Sequence, residues 1–211
     1  GEMSKYIFAV ETGLSSDPTM NWQVGELDNI TLISNSDAHS LRKLGREANV
    51  FDIYLKELSY AKIIEILKNP KPDQLLETIE FFPEEGKYHL DGHADCKFSC
   101  EPSETKKLGG ICPVCKKKLL RGVMSRVDDL SQIRNTEIPD ATSDSAGDPE
   151  SIQRTPFRSI IPLEEIIAET LGVGTASKKV LVTYEDMISK SLSLDGRGQG
   201  EGEFIGEFAV L

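Results

Sequence analysis

No apolar run in this 211-residue chain approaches the roughly 18 residues that a membrane-spanning helix needs. The opening stretch, GEMSKYIFAV, lacks the basic-then-apolar layout of a signal peptide. A cytoplasmic protein without a membrane partner is expected. Basic residues are outnumbered, 24 against 35 acidic, for a net charge of -11, and in bulk that argues against a nucleic-acid binder. Hydrophobic content is 38%, which predicts a real core plus segments that do not join it. Histidine is scarce, with only His39, His89 and His93. Cysteine is absent outside Cys96–Cys115, where all four crowd together. In a cytoplasmic chain such crowding favours metal binding over disulfides.

The charge is not evenly spread. Between Glu84 and Arg126 there are nine Lys/Arg and six Asp/Glu, and Lys116, Lys117, Lys118 and Arg121 fall within six positions. An acidic chain with one basic segment can still present a phosphate-binding face, although a solvated lysine cluster would look the same.

Strand and helix signals alternate in the first part. KYIFAVE and NITLIS read as strands, and a helix between them starts at Ser16 or Asp17 with Pro18 in its first turn. LRKLGREANVF reads as a short helix and FDIYL as a third strand. SYAKIIEILKN reads as a helix capped by Ser59 and stopped at Asn69-Pro70, followed by a fourth strand, QLLETIEFF. The alternation predicts a parallel α/β arrangement over residues 1–83, with too few strands for a complete sheet. Residues 84–134 form a cysteine-bearing module. Residues 135–158, polar and rich in Pro, Gly, Ser and Asp, read as a flexible linker. Residues 159–211 read as helical: IPLEEIIAETLG runs from Pro162 to a Gly172 stop, TYEDMISKSL follows, and a Gly-rich DGRGQGEGEF precedes an apolar FAVL ending.

The cysteines are spaced Cys96-x3-Cys100-x11-Cys112-x2-Cys115. CPVCKKKL is the turn of a zinc ribbon, in which two thiolates point at one ion and turn amides donate to the sulfurs. A structural zinc would replace the core that some 40 residues cannot build. Cys-x3-Cys is the less usual knuckle, and His89 and His93 lie close by. The ligand set is therefore four Cys, or three Cys plus a His.

Straight after the apolar ITLI comes SNSDAHS, with Asp37 and His39 two positions apart. Residues i and i+2 of a strand face one side, and ligand sites of parallel sheets lie at the strands' carboxyl ends. A carboxylate and an imidazole suit Zn²⁺, Mn²⁺ or Fe²⁺. Asp-x-His alone also fits a polar turn that opens a helix.

Several longer motifs, in one order, carry a resemblance: ETGLSSDPTMNW, TLISNSDAHS, KLGREANVF, GKYHLDGHADC, GGICPVCKKKLLRGVMSRVDDL and PFRSIIPLEEIIAETLGVGTASKKV. Together they resemble the endonuclease Q family, whose members join a PHP domain (the polymerase and histidinol phosphatase type) to a zinc module and a helical region. The resemblance implies a partial PHP-type (β/α) barrel segment, then a small zinc-ribbon-like module, then C-terminal helices. It implies a metal-dependent DNA endonuclease that cuts on the 5′ side of deaminated bases or abasic sites, leaving 3′-hydroxyl and 5′-phosphate ends.

On that resemblance SDAH corresponds to the last PHP metal motif, which makes Asp37 and His39 cation ligands, and Glu11 a carboxylate beside the two or three divalent metals (Zn, Mn, Mg or Fe) of a complete site. Tyr88, His89, Asp91 and His93 offer base-pocket chemistry. Lys116, Lys117, Lys118, Arg121 and Arg126 offer phosphate contacts, and Arg46 is placed to reach the PHP site. The departure is as informative. PHP proteins open with a His-x-His strand and further His and Glu ligands, whereas His39 is the first histidine here. The chain is therefore expected to be the back part of a longer enzyme, inactive alone, with the N-terminal PHP half and lesion-bearing DNA as partners. Two rivals remain: a PHP-type phosphatase of small phosphate esters, and a non-catalytic zinc-ribbon binding module.

Overall fold

A computed structural model describes residues 2–131, 154–195 and 209–210. Residues 135–153 of the expected linker and nearly all of DGRGQGEGEF lie outside these. Strand β1 (Ala9–Glu11) pairs in parallel with β2 (Thr31–Ile33), Glu11 standing opposite Ile33. A parallel pair needs a crossover, and here it carries helix α1 (Pro18–Asn21). Asp17 caps α1 by accepting from the Met20 amide at 2.7 Å, and Pro18 takes the first position, where a missing N–H costs nothing.

The next strand differs from expectation. β3 is Ala48–Phe51, and the expected FDIYL strand is replaced after Phe51 by irregular backbone and a 3-10 turn at Leu55–Glu57. Of the helix expected over 41–51 only a 3-10 turn, Leu41–Lys43, is present. Helix α2 (Tyr60–Lys68) is capped by Ser59, ends at Asn69 and buries Ile66 and Leu67. Its end is tied to β2 by the Thr31 hydroxyl, which donates to the Leu67 carbonyl at 2.8 Å. β4 (Leu75–Glu80) then pairs with β3 antiparallel, not parallel. The core of this part is Phe51, Ile53, Ile66, Leu67 and Leu75, with Phe8, Ile33 and Ile63 packed on it.

The module comes next. β5 (Asp91–His93) and β6 (Phe98–Cys100) form a hairpin, followed by α3 (Pro102–Lys107) and α4 (Val123–Ser131). It sits tightly on the first part. A Cβ on Gly86 would lie 2.3 Å from the Leu14 carbonyl oxygen. β7 (Phe157–Ser159) pairs in parallel with β4, and Trp22 meets Phe157 edge-on at 5.7 Å between ring centres. Helices α5 (Leu163–Leu171) and α6 (Lys178–Asp195) pack through Ile167, Ala168 and Val180, with Gly172 in the left-handed conformation ending α5. Ion pairs Lys43–Glu165 (2.7 Å) and Arg42–Glu164 (3.8 Å) dock α5 on the 41–43 turn. β8 (Ala209–Val210) pairs with β3.

The fold is thus mixed α/β, with two-stranded sheets β1-β2 and β5-β6 and a four-stranded sheet in the order β7-β4-β3-β8. Among the described residues no sheet closes into a barrel, and no helix is long and apolar enough to cross a membrane.

Candidate functional site

β1 and β2 run in parallel, so their carboxyl ends emerge side by side. Glu11, the last residue of β1, and Asp37, past the end of β2, line one cleft of about 630 Å³ together with Asn35 and, from the module, Tyr88. Asp37 and His39 do not converge through strand alternation, because β2 ends at Ile33. Instead Asp37 adopts φ +44°, a left-handed backbone that a non-glycine residue takes up at a cost. The turn lets the His39 imidazole fold back, placing Nδ1 2.8 Å from the Asp37 carbonyl oxygen and 3.9 Å from the Asp37 carboxylate. A carbonyl only accepts, so Nδ1 carries a hydrogen, and the neutral ring then leaves the Nε2 lone pair open. Both side chains are open to solvent.

Arg46 does not reach the cleft as a charge. Its Nη2 donates to the Ser36 carbonyl at 2.8 Å, and its guanidinium lies 5.6 Å from the Phe81 ring centre. It steadies the segment that carries Asp37. The neighbouring Glu47 is 1% exposed, with Oε1 3.4 Å from the Phe81 amide that donates to it and Oε2 without a protein partner. Burial pushes this carboxyl up to about 7, the Phe81 amide opposes the rise, and Glu80 adds to it.

In the module, four ligand atoms lie within 4.8 Å of one another: His93 nitrogen and the sulfurs of Cys96, Cys112 and Cys115. Among the described residues this is the one group of three or more His, Cys or acidic side chains close enough to share an ion. The three-thiol-plus-imidazole set suits tetrahedral coordination. Each knuckle closes with a left-handed lysine directly after its second ligand, Lys97 (φ +48°) after Cys96 and Lys116 (φ +62°) after Cys115. The backbone N–H of Cys115, helped by that of Val114, pulls the Cys112 thiol below its ordinary range, as a knuckle that donates to a thiolate should. Cys96, by contrast, is pushed up to about 11 by its hydrogen bond with Cys115, then by desolvation and by Cys112. Cys100, favoured by the four-cysteine option, stands outside the group. It is buried with Cys112 and Leu119, and its sulfur lies 3.3 Å from the Thr105 hydroxyl. The signal in the sequence was the matched spacing His93-x2-Cys96 and Cys112-x2-Cys115.

The other expected contacts divide. Tyr88, His89, His93 and Arg121 line one hollow of about 240 Å³ on the module. Asp91 is not among its lining residues. Fully buried, it accepts from the Gly122 amide and the Ser125 hydroxyl, both at 2.6 Å. Burial pushes its carboxyl up, but Ser125, Thr105, the Gly122 amide and Arg121 outweigh this and hold it below the usual carboxylate range. Asp91 therefore braces the module. His89 is buried, with Nδ1 3.1 Å from the Ser15 carbonyl, so that in the neutral ring Nε2 is an acceptor. Arg121 pairs with Asp129 at 2.8 Å and donates to the Ser125 carbonyl. Lys116, Lys117, Lys118 and Arg126 are exposed.

No family model matches the chain. It is 33% identical over 184 residues to the uncharacterized protein MJ0043 of Methanocaldococcus jannaschii, covering 86% of this chain and 22% of that one. To the uncharacterized protein YqxK of Bacillus subtilis it is 31% identical over 134 residues, covering 63% and 33%. Among solved structures it is similar to the lesion-specific endonuclease Q of Pyrococcus furiosus, with 29% identity and a TM-score of 0.63. It is also similar to an endonuclease Q bound to a 27-mer duplex with an abasic lesion at the active site, with 28% identity and a TM-score of 0.66. Each match covers 85% of this chain and 42% of the solved one. The chain thus spans less than half the length of the relatives it matches. In fold, and at 28–29% identity, the chain is similar to part of endonuclease Q.

Proposed function

We propose that this chain supplies the back of a PHP-type site and the base-facing module of a metal-dependent DNA endonuclease that cuts 5′ of deaminated bases or abasic sites. The observation that carries the reading is the position of Tyr88, which lines both the strand-end cleft holding Glu11 and Asp37 and the hollow on the module. A nucleotide could lay its phosphate at the first and turn its base, or the gap left by a missing base, toward the second.

Asp37 and the free Nε2 of His39 would hold a divalent cation of the Zn, Mn, Mg or Fe class, with Glu11 beside it. When bound, such cations supply Lewis-acid activation of water and of the scissile phosphate. The donor set fits as far as it goes: a carboxylate and an imidazole, solvent-open and fixed in mutual orientation by the Asp37 carbonyl. Two donors do not complete a site, so the remaining ligands would come from the PHP half that the longer relatives have room for, and this chain alone would not cut. The chain's own residues orient the substrate. The Tyr88 ring offers a flat face, the His89 Nε2 an acceptor for a base edge, and Lys116, Lys117, Lys118 and Arg126 charge for the backbone. Arg121, already paired with Asp129, contributes less. The His93–Cys96–Cys112–Cys115 set would hold a structural zinc that fixes the lysine-bearing knuckle. A DNA substrate accords with a cytoplasmic protein.

The test is binding of a short duplex carrying one abasic site against the same intact duplex, over a salt series. Preference for the lesion, with affinity falling steeply as salt rises, is the expected result. Equal binding of both duplexes, or salt-independent binding, would contradict it. Joining the chain to a segment bearing a His-x-His strand is expected to add nicking 5′ of the lesion.

A further inference from the structure

Glu80 ends β4 with its side chain fully buried, and what surrounds it is a set of hydroxyls. Its Oε2 accepts from the Thr12 hydroxyl at 2.8 Å and from the Ser34 hydroxyl at 3.1 Å, and its Oε1 from the Thr78 hydroxyl at 2.6 Å. Thr12 is the first residue after β1, and Ser34 the first after β2. One carboxyl group therefore gathers the carboxyl ends of β1, β2 and β4.

The same two hydroxyls also lie against backbone. Thr12 Oγ1 is 3.2 Å from the Ile33 carbonyl, and Ser34 Oγ is 2.9 Å from the Ile79 carbonyl. Ser34 is held a second way, its N–H donating to Asn49 Oδ1 at 2.9 Å and its carbonyl accepting from Asn49 Nδ2 at 2.7 Å. Glu11 immediately precedes this knot on β1, and Asp37 and His39 follow it within five residues on the β2 side.

We propose that Glu80 is a positioning residue: an acceptor hub that sets where the Ser34–His39 segment, and with it the Asp37–His39 pair, stands relative to Glu11. Its importance for catalysis rests on the cation-binding reading above, but its hold on the segment can be measured without any cation. What the hub needs is acceptor oxygen rather than charge. Glutamine can turn its oxygen to Thr12 and Ser34 and donate its amide to the Thr78 oxygen. Methionine, of similar shape, offers only a weak thioether acceptor and leaves the Thr12 and Ser34 hydroxyls to the Ile33 and Ile79 backbone carbonyls, so that nothing ties β1 and β2 to one side chain.

Amide hydrogen exchange of the full chain, read by mass spectrometry on peptides covering 31–40, tests this. Glu80→Met is expected to speed exchange there by about tenfold or more, and Glu80→Gln to stay within about twofold of the parent. Thr12→Val and Ser34→Ala should act like Glu80→Met, and Thr12→Ser should restore protection. Thr78→Val removes the hydroxyl that lies on β4 itself and should leave the segment unchanged. Peptides covering 96–115 should not respond in any variant. If Glu80→Met does not fold, Thr12→Val and Ser34→Ala carry the same test. The proposal is overturned if 31–40 exchanges alike in the parent and in the acceptor-deleting variants. It is overturned also if Glu80→Gln is as fast as Glu80→Met, if Thr78→Val is as fast as Thr12→Val, or if acceleration spreads equally to α2. Failure of cation binding at Asp37 and His39 would leave these exchange results standing, so the two readings fail separately.

Discussion

The imidazole of His89 donates from Nδ1 to the carbonyl oxygen of Ser15, 3.1 Å away, across 74 positions of sequence. This bond fastens the cysteine-bearing module to the loop that follows β1, one wall of the cleft. Gly86 makes the same junction steric, its Cα hydrogen facing the Leu14 carbonyl where a Cβ would stand at 2.3 Å. Gly86→Ala is therefore expected to push the module off that loop and to cost about 1–3 kcal/mol, the usual range for overpacking against backbone that cannot yield. Denaturant unfolding would show it. An alanine variant as stable as the parent would mean that the junction is loose.

Asp91 predicts an acid-sensitive module. Asp91→Ala leaves the buried Gly122 amide and Ser125 hydroxyl without acceptors and is expected to cost about 3 kcal/mol. The folded carboxyl titrates below its unfolded value of about 3.9. Its contribution is then complete above that value and fades as pH falls through the lower folded value. Urea midpoints of parent and Asp91→Ala should differ most at neutral pH and draw together as pH falls below the unfolded value. A difference that stays constant as acid is added would remove the ion's role.

Glu47 predicts the opposite slope. Its folded pKa, about 7, lies above the unfolded one. The folded state therefore holds a proton that the unfolded state has lost between about pH 4.3 and 7, and stability from this group falls as pH rises through that window. Glu47→Gln fixes the neutral form and should flatten the fall, most visibly in denaturant midpoints compared at pH 5 and pH 8. Glu80, raised by the same burial, keeps part of the slope in the variant. Identical pH profiles for parent and variant would contradict the assignment.

The metal set predicts which cysteine is dispensable. His93→Ala and Cys112→Ser should each lose zinc and loosen the module. Cys100→Ser should keep one equivalent, because a serine hydroxyl can still meet Thr105. Metal content measured after dialysis decides the matter, and loss of zinc from Cys100→Ser would restore the four-cysteine set.

Helix ends were legible wherever a local device made them: Asp17 with Pro18, Ser59 with Asn69, and Gly172 all act as their chemistry dictates. Helix α6 starts five residues before the expected TYEDMISKSL, directly after Ser177. The Ser177 hydroxyl accepts from the Lys179 amide. β3 was hidden for a tertiary reason. Asn49 looks like a strand breaker, yet its side-chain amide pairs with both backbone groups of Ser34 as a neighbouring peptide would, joining the two sheets. Tyr54 and Leu55, whose apolar character made FDIYL read as a strand, lie 72% and 64% exposed. At the site, residue types in sequence pointed to Asp37, His39 and the cysteines. They could not separate His93 from Cys100, nor reveal Asp91 as a brace, because those roles depend on which face of the β5–β6 hairpin each side chain takes.

The central claim is that Asp37 and His39 together hold a divalent cation at the carboxyl ends of β1 and β2. With only three histidines in the chain, the His39 ring protons can be resolved by NMR and followed during addition of substoichiometric Mn²⁺ to the zinc-loaded protein. Selective broadening of His39, with His89 sharp, and loss of that broadening in Asp37→Asn are predicted. A His39 signal no more affected than that of His89, or broadening unchanged in Asp37→Asn, would contradict the account.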